Sequence, residues 1–173
     1  MAKCMERILG LVLIISVCLS LAGSYSCEFT DRAGFWNFHS ENSKECYGWP
    51  SNWDGTGSIK ASRAFAILTT LSGVFLLFKG FFLLVIPRIT AGATGKCFSA
   101  LLFVQVLFEG LKFLGLDDLL GDSIGSGGDC QIAAVVLFFI ALVMSCGLKD
   151  DDNDGDDGER GVEEPLLPED EEA

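Results

Sequence analysis

Three polar residues interrupt one of the long apolar stretches of this chain: Gln105, Glu109 and Lys112. Offsets of four and seven put them on one helix face, within an arc of about 60°. Glu109 and Lys112, three residues apart, can pair along the helix. A carboxylate and an ammonium at membrane depth are costly, so by default they face protein or water rather than lipid. Two readings fit. One is a polar seam inside a helix bundle that fixes how this helix docks. The other is a path for a proton or ion. The seam is preferred, because a path requires matching polar stripes elsewhere, and the first and fourth apolar stretches supply almost none. Lys79, in the second stretch, lies about 10 Å from the inner end of its helix and is expected to snorkel to the headgroups rather than meet Glu109.

Seven cysteines offer thiol chemistry. Cys27, Cys46 and Cys130 are expected outside the cytosol, Cys18 within the first helix, and Cys4, Cys97 and Cys146 near the inner face. An oxidising outer compartment favours a bridge there. Cys27–Cys46 is preferred. It closes about 20 residues and contributes roughly 3 kcal/mol. Cys46–Cys130 is the rival, and free thiols are the plain alternative. The inner three are either small apolar fillers at helix ends or juxtamembrane acylation targets. His39 is the sole histidine and has no partner at ligand spacing, so no metal is expected. No nucleophile–base constellation and no phosphate loop occur. The expectation is therefore not an enzyme, with no cofactor, and with no basic patch for nucleic acid.

The elements that must position these residues are helices. Four apolar runs, 8–22, 64–86, 97–116 and 132–148, are long enough, or nearly so, to cross a hydrocarbon layer of about 30 Å at about 1.5 Å per residue. The expected fold is an all-α membrane protein, a four-helix transmembrane bundle. Residues 1–149 form the membrane domain, with helices at about 8–24, 61–86, 97–116 and 131–148 and outer loops at 25–60 and 117–130. The first run is short, and small residues at 20–24 would also suit a signal peptidase; a retained span is preferred. Lys3, Arg7, Arg88, Lys96 and Lys149 flank one side of the runs, and the loop after the third run has four acids and no base. The positive-inside rule then places both termini in the cytoplasm. The expected location is multi-pass in a plasma, secretory or endosomal membrane. Ser62, Ala66, Thr69, Thr70 and Gly73, and Ala134, Ala141 and Ser145, form small-residue stripes suited to close helix packing or to oligomer contact.

The first outer loop carries eight aromatic residues, among them Tyr25, Phe29, Phe35, Trp36, Phe38, Tyr47 and Trp49. Leaving them all in water is unfavourable. The loop is expected to fold as a small ectodomain, with short strands around 28–38 and turns near 48–50 and 55–57. The alternative is an interfacial aromatic belt. Gly34-Phe35-Trp36, then Cys46, then the Ala61-Ser62-Arg63-Ala64 start of the second span resemble the claudin and peripheral-myelin-protein superfamily. Phe35 stands where that family has Leu, and no cysteine lies between Trp36 and Cys46. The resemblance implies four helices, both termini inside, and a large first loop that contacts neighbouring molecules, with Phe35 and Trp36 as anchors or Trp36 pinned at the bilayer edge.

Thirteen of the 24 acids follow Lys149, so the net charge of −12 belongs to a tail. Residues 150–173 read as a disordered acidic cytoplasmic segment. Asp150, Asp152, Asp154 and Gly155 imitate half of a calcium loop, but Gly161 stands where the bidentate Glu belongs. Glu163, Leu166 and Leu167 resemble an acidic dileucine sorting signal. The expected function is claudin-like: a structural and interaction protein that organises or joins membranes at cell junctions through its first loop. Its partners would be the lipid bilayer, further copies of itself or other membrane proteins. The alternative is a channel or transporter component, or an auxiliary subunit, that uses the stripe of the third helix.

Overall fold

The computed structural model describes residues 2–31, 33–39, 45–50, 55–85, 93–114 and 123–147. Glu163, Leu166 and Leu167, the half calcium loop and the side chain of His39 lie outside the described residues. Four helices dominate: α1 (Ala2–Tyr25), α2 (Gly57–Val85), α3 (Ala93–Leu111) and α4 (Ser126–Gly147). All four include spans long and apolar enough to cross a membrane. Between α1 and α2 a two-stranded antiparallel ribbon forms from β1 (Asn37–His39) and β2 (Cys46–Gly48).

The helices begin earlier than the apolar runs. α1 starts at Ala2 because Cys4, Met5, Glu6 and Arg7 tolerate helix geometry although the charges of Glu6 and Arg7 end the apolar run. α2 starts at Gly57, a turn before Ala61, and one tight turn carries α3 on to Leu114. The strands also differ from expectation. Most of 28–36 is irregular, joined to the rest by single bridges (Thr30 with Ile124, Ala33 with Phe38), and β2 lies outside the stretch expected to form strands, its last residue Gly48 opening the expected turn at 48–50. Phe38 opposite Tyr47 supplies the cross-strand pair that holds this short ribbon in register.

α1 and α3 each pack against both α2 and α4, so the helices close into a ring in chain order. The interior has three levels. Farthest from the ribbon is an apolar layer of Leu9, Leu13, Val17, Leu76, Leu83, Phe98, Leu102, Ala134, Phe138 and Ala141. A polar layer follows. Above it sits an aromatic cap built on Phe29, Ala33, Phe35 and Ile59. The exterior is apolar. Leu71, Phe75, Phe78, Phe81 and Val85 on α2, Phe103 on α3, and Phe139 and Val143 on α4 are exposed. Surfaces of this kind need hydrocarbon around them.

Lipid supplies no hydrophobic drive for helices to associate, so close van der Waals fit must do it. Ser62, Ala66, Thr69, Gly73 and Gly80 form the buried face of α2, which assigns that small-residue stripe to packing within the chain. At one tight crossing, Gly10 of α1 meets Gly80 of α2. A Cβ on Gly10 would lie 2.7 Å from the Gly80 carbonyl oxygen. Gly10→Val therefore forces the helices apart and is expected to cost about 1–3 kcal/mol. Gly110→Ala, with nothing within 4 Å of the added carbon, should be neutral. Unfolding of the two purified variants in detergent, compared with the parent, checks this.

Candidate functional site

The polar layer centres on Glu109 and Lys112, both fully buried, with Nζ 2.7 Å from Oε2. The i, i+3 spacing on α3 aims both side chains into the ring. Around them the chain provides a near-complete hydrogen-bond shell. Glu109 Oε1 accepts from Ser20 Oγ at 2.6 Å and from Gln105 Nε2 at 2.9 Å. Oε2 accepts from Lys112 and from Gln131 Nε2. Lys112 also donates to Ser24 Oγ at 2.8 Å and Ser20 Oγ at 3.2 Å, with Gln131 Oε1 at 3.5 Å. Gln105 reaches α2, where Ser72 Oγ donates to its Oε1 and the Thr69 carbonyl accepts from its Nε2 at 3.4 Å.

All four helices thus contribute: Ser20 and Ser24 from α1, Thr69 and Ser72 from α2, Gln105, Glu109 and Lys112 from α3, and Gln131 from α4. The expectation that the first and fourth helices supply almost no polar groups is corrected here. Ser16, Ser20 and Ser24 recur every four residues on one buried face of α1, with Ser16 bonded to the Val12 carbonyl. Single hydroxyls in an apolar run resemble filler, but their spacing was a readable signal. Gln131 stands at the boundary of its run and looked like an end residue. Lys79 stays apart from this layer. Its Nζ lies 5.8 Å from the centre of the Phe98 ring, at the other end of the bundle.

The loop motif converges at the opposite border of the polar layer. Arg63 Nε donates to the Phe35 carbonyl at 2.7 Å, and its guanidinium carbon lies 5.5 Å from the centre of the Trp36 ring. Trp36 also stacks on Tyr25, with the two planes 13° apart. The Trp36 indole N–H is buried without an acceptor among the described residues, so ring stacking rather than a hydrogen bond places this side chain. Gly34 passes so close to the Ser26 carbonyl that a Cβ there collides with it, and its own carbonyl accepts from Trp49 Nε1 at 3.2 Å. Trp49 is one of the loop aromatics, but nothing in its spacing assigns it this bond.

A disulfide joins Cys27 to Cys46, with Cα atoms 6.0 Å apart, and Cys130 keeps a free thiol. Phe35 is fully buried, its ring centre 4.2 Å from that of Phe29, which in turn meets Phe113 of the α3 extension. The expected role of Phe35 as a contact anchor is therefore corrected: it is the core of the cap. The outer faces of the cap belong to other residues. Every residue of β2 is exposed, including Tyr47.

The cap also finishes α4. Gly127 N–H donates to the Glu28 carbonyl at 2.8 Å, Gly125 N–H to the Phe29 carbonyl at 3.1 Å, and Ser126 Oγ to the Glu28 carboxylate at 2.7 Å. These bonds occupy part of the donor set that a helix start leaves open. Among the described residues no group of three His, Cys, Asp or Glu is arranged to hold a metal.

No family model, no curated protein sequence and no solved structure matches this chain. The likeness to the claudin superfamily rests on the motif residues alone.

A buried pair that loses one partner leaves an uncompensated charge. Glu109→Ala or Lys112→Ala should each lower stability by about 3–5 kcal/mol, whereas Glu109→Leu with Lys112→Leu together should recover much of that loss. Denaturation of the purified variants in detergent measures both effects.

Proposed function

We propose that this chain is a claudin-like, four-span structural and interaction protein. Its bundle anchors an aromatic cap, and the cap contacts neighbouring molecules in the same or an apposed membrane. Both termini lie in the cytoplasm, in keeping with Lys3, Arg7, Arg88, Lys96 and Lys149 on one side of the spans. One observation carries the reading: a disulfide-closed cap is fixed rigidly to the bundle through Arg63 and the α4 start, while β2 with Tyr47 is left outward. A pre-ordered cap costs little entropy on association. Amphipathic aromatics such as Tyr47 and Tyr25, both exposed, are common interface residues.

The transport alternative draws on the same polar layer and is weakened by its geometry. Each carboxylate oxygen of Glu109 accepts two bonds from the protein, and Lys112 is held by the carboxylate and two serine hydroxyls. Groups so fully occupied act as docking contacts. They are not open relay stations for a travelling ion.

Chemical cross-linking in intact cells tests the leading reading. The parent protein should form cross-linked species through the cap, and Tyr47→Asp should reduce them severalfold while the Cys27–Cys46 bond still forms. Equal cross-linking of parent and variant would reject the cap as the contact surface. In the same cells Glu109→Gln should change abundance and leave ion flux untouched. A flux that depends on Glu109 would favour the transport alternative. Glycosylation acceptors inserted at 40–44, 88–92 and 117–122 fix the orientation, with modification expected at the first and third positions only.

A further inference from the structure

The end of the bundle away from the cap carries thiol chemistry that the proposed function does not use. Three free cysteines lie there: Cys4 near the start of α1, Cys97 near the start of α3 and Cys146 one residue before the end of α4, and all three are exposed. The structure draws two of them together. Ser99 Oγ and Ser145 Oγ are 2.9 Å apart, so the start of α3 lies against the end of α4, with Cys97 and Cys146 on adjacent helices at one level.

That level can be set against the bilayer. Lys79 Nζ reaches over Phe98, the residue after Cys97. A lysine on a lipid-facing helix extends its ammonium toward the headgroups, so its level lies toward the inner side of the hydrocarbon. Gly80 also packs on Gly10, and Cys4 lies six residues before Gly10, about 9 Å farther out at about 1.5 Å per residue. Cys18 is exposed as well but sits beside Val17, which packs on Gly73 in the middle of the bundle. Thiol chemistry that takes its reagent from the aqueous side works only where that reagent reaches, and a charged reagent does not enter the middle of the hydrocarbon. Cys18 is thereby excluded by depth, Cys4 stands out toward water, and Cys130 belongs to the cap end. Cys97 and Cys146 alone combine an exposed sulfur, a position at the inner end of the bundle and an adjoining exposed apolar surface for a chain to lie on, which runs from both toward the cap: Val104 on α3, and Val143 and Ile140 on α4.

We propose that Cys97 and Cys146 form a paired S-acylation site that takes long-chain fatty acyl groups from acyl-coenzyme A. In each transfer the cysteine thiolate attacks the thioester carbonyl carbon. A new carbon–sulfur bond forms as the bond to the coenzyme A sulfur breaks. Coenzyme A leaves as its thiolate and takes up the proton that the cysteine gave, so nothing is oxidised or reduced. The attached chains then line the α3–α4 flank in the leaflet opposite the cap. The inference rests on the cytoplasmic placement of this end given above, because the donor thioester is a cytosolic species.

Acyl exchange on the full-length protein in cells tests it. Free thiols are blocked, thioesters are cleaved with neutral hydroxylamine, and the released thiols receive a polymer maleimide that shifts the band. The parent should show doubly tagged protein, Cys97→Ser or Cys146→Ser at most one tag, and the double variant none, with Cys4→Ser and Cys18→Ser unchanged. An untagged parent, or tags that survive in the double variant, overturns the proposal. A charged maleimide applied to sealed vesicles with the cell exterior outward should label neither Cys97 nor Cys146 after hydroxylamine. Labelling from that face overturns the orientation together with the proposal. Missing tags on a correctly oriented protein overturn the acylation alone.

Discussion

A lysine and a glutamate that cannot reach water set the terms for this bundle. Taking two charges out of solvent costs several kcal/mol per ion, and their attraction repays this only when the remaining donors and acceptors are also matched. Here the match is nearly complete, and it draws on every helix: two serines from α1, a serine and a backbone carbonyl from α2, a glutamine beside the pair on α3, and a second glutamine from α4. Apolar side chains in lipid have little reason to prefer one helix rotation over another. A buried pair does, because each wrong rotation strands a charge. The polar layer supplies the specificity that the apolar layer beneath it lacks.

The cap is continuous with this layer. Arg63 belongs to α2 yet bonds the backbone of the loop, Phe113 belongs to the α3 extension yet packs on Phe29, and the start of α4 donates to the backbone of Glu28 and Phe29. The Cys27–Cys46 bond then closes the loop over these contacts. An outer loop held at so many points is a rigid extension of the bundle, and the aromatic residues divide accordingly. Phe29 and Phe35 serve the interior, Trp36 joins α1, α2 and the loop by stacking, and Tyr47 faces outward.

Much of the helical architecture was legible because apolar runs near twenty residues long have few other uses. The face holding Gln105, Glu109 and Lys112 was legible from helical spacing alone. Its partners were harder to see. A hydroxyl such as Ser20 is small, tolerable in a helix and often bonded to its own backbone, as Ser16 is, so its type says nothing about a charge eighty-nine residues away. The start of α1 lies ahead of its apolar run because hydropathy ends at the charges while helical backbone geometry does not. The burial of Phe35 and the bond from Trp49 to Gly34 depend on how a loop folds back on itself, and local pattern carries no such information.

The sequence separations within the polar layer have a consequence for how the protein is made. Ser20 and Ser24 are synthesised first, Glu109 and Lys112 some ninety residues later, and Gln131 later still. While the fourth helix is still within the ribosome, the carboxylate lacks one of its donors and the first loop has no helix start to cap. Of the four described helices, the last made must find the first made, its neighbour in the ring. Assembly therefore includes a closing step that joins α4 to α1, a helix made well before it. Until then one acceptor position of the Glu109 carboxylate waits for the Gln131 amide.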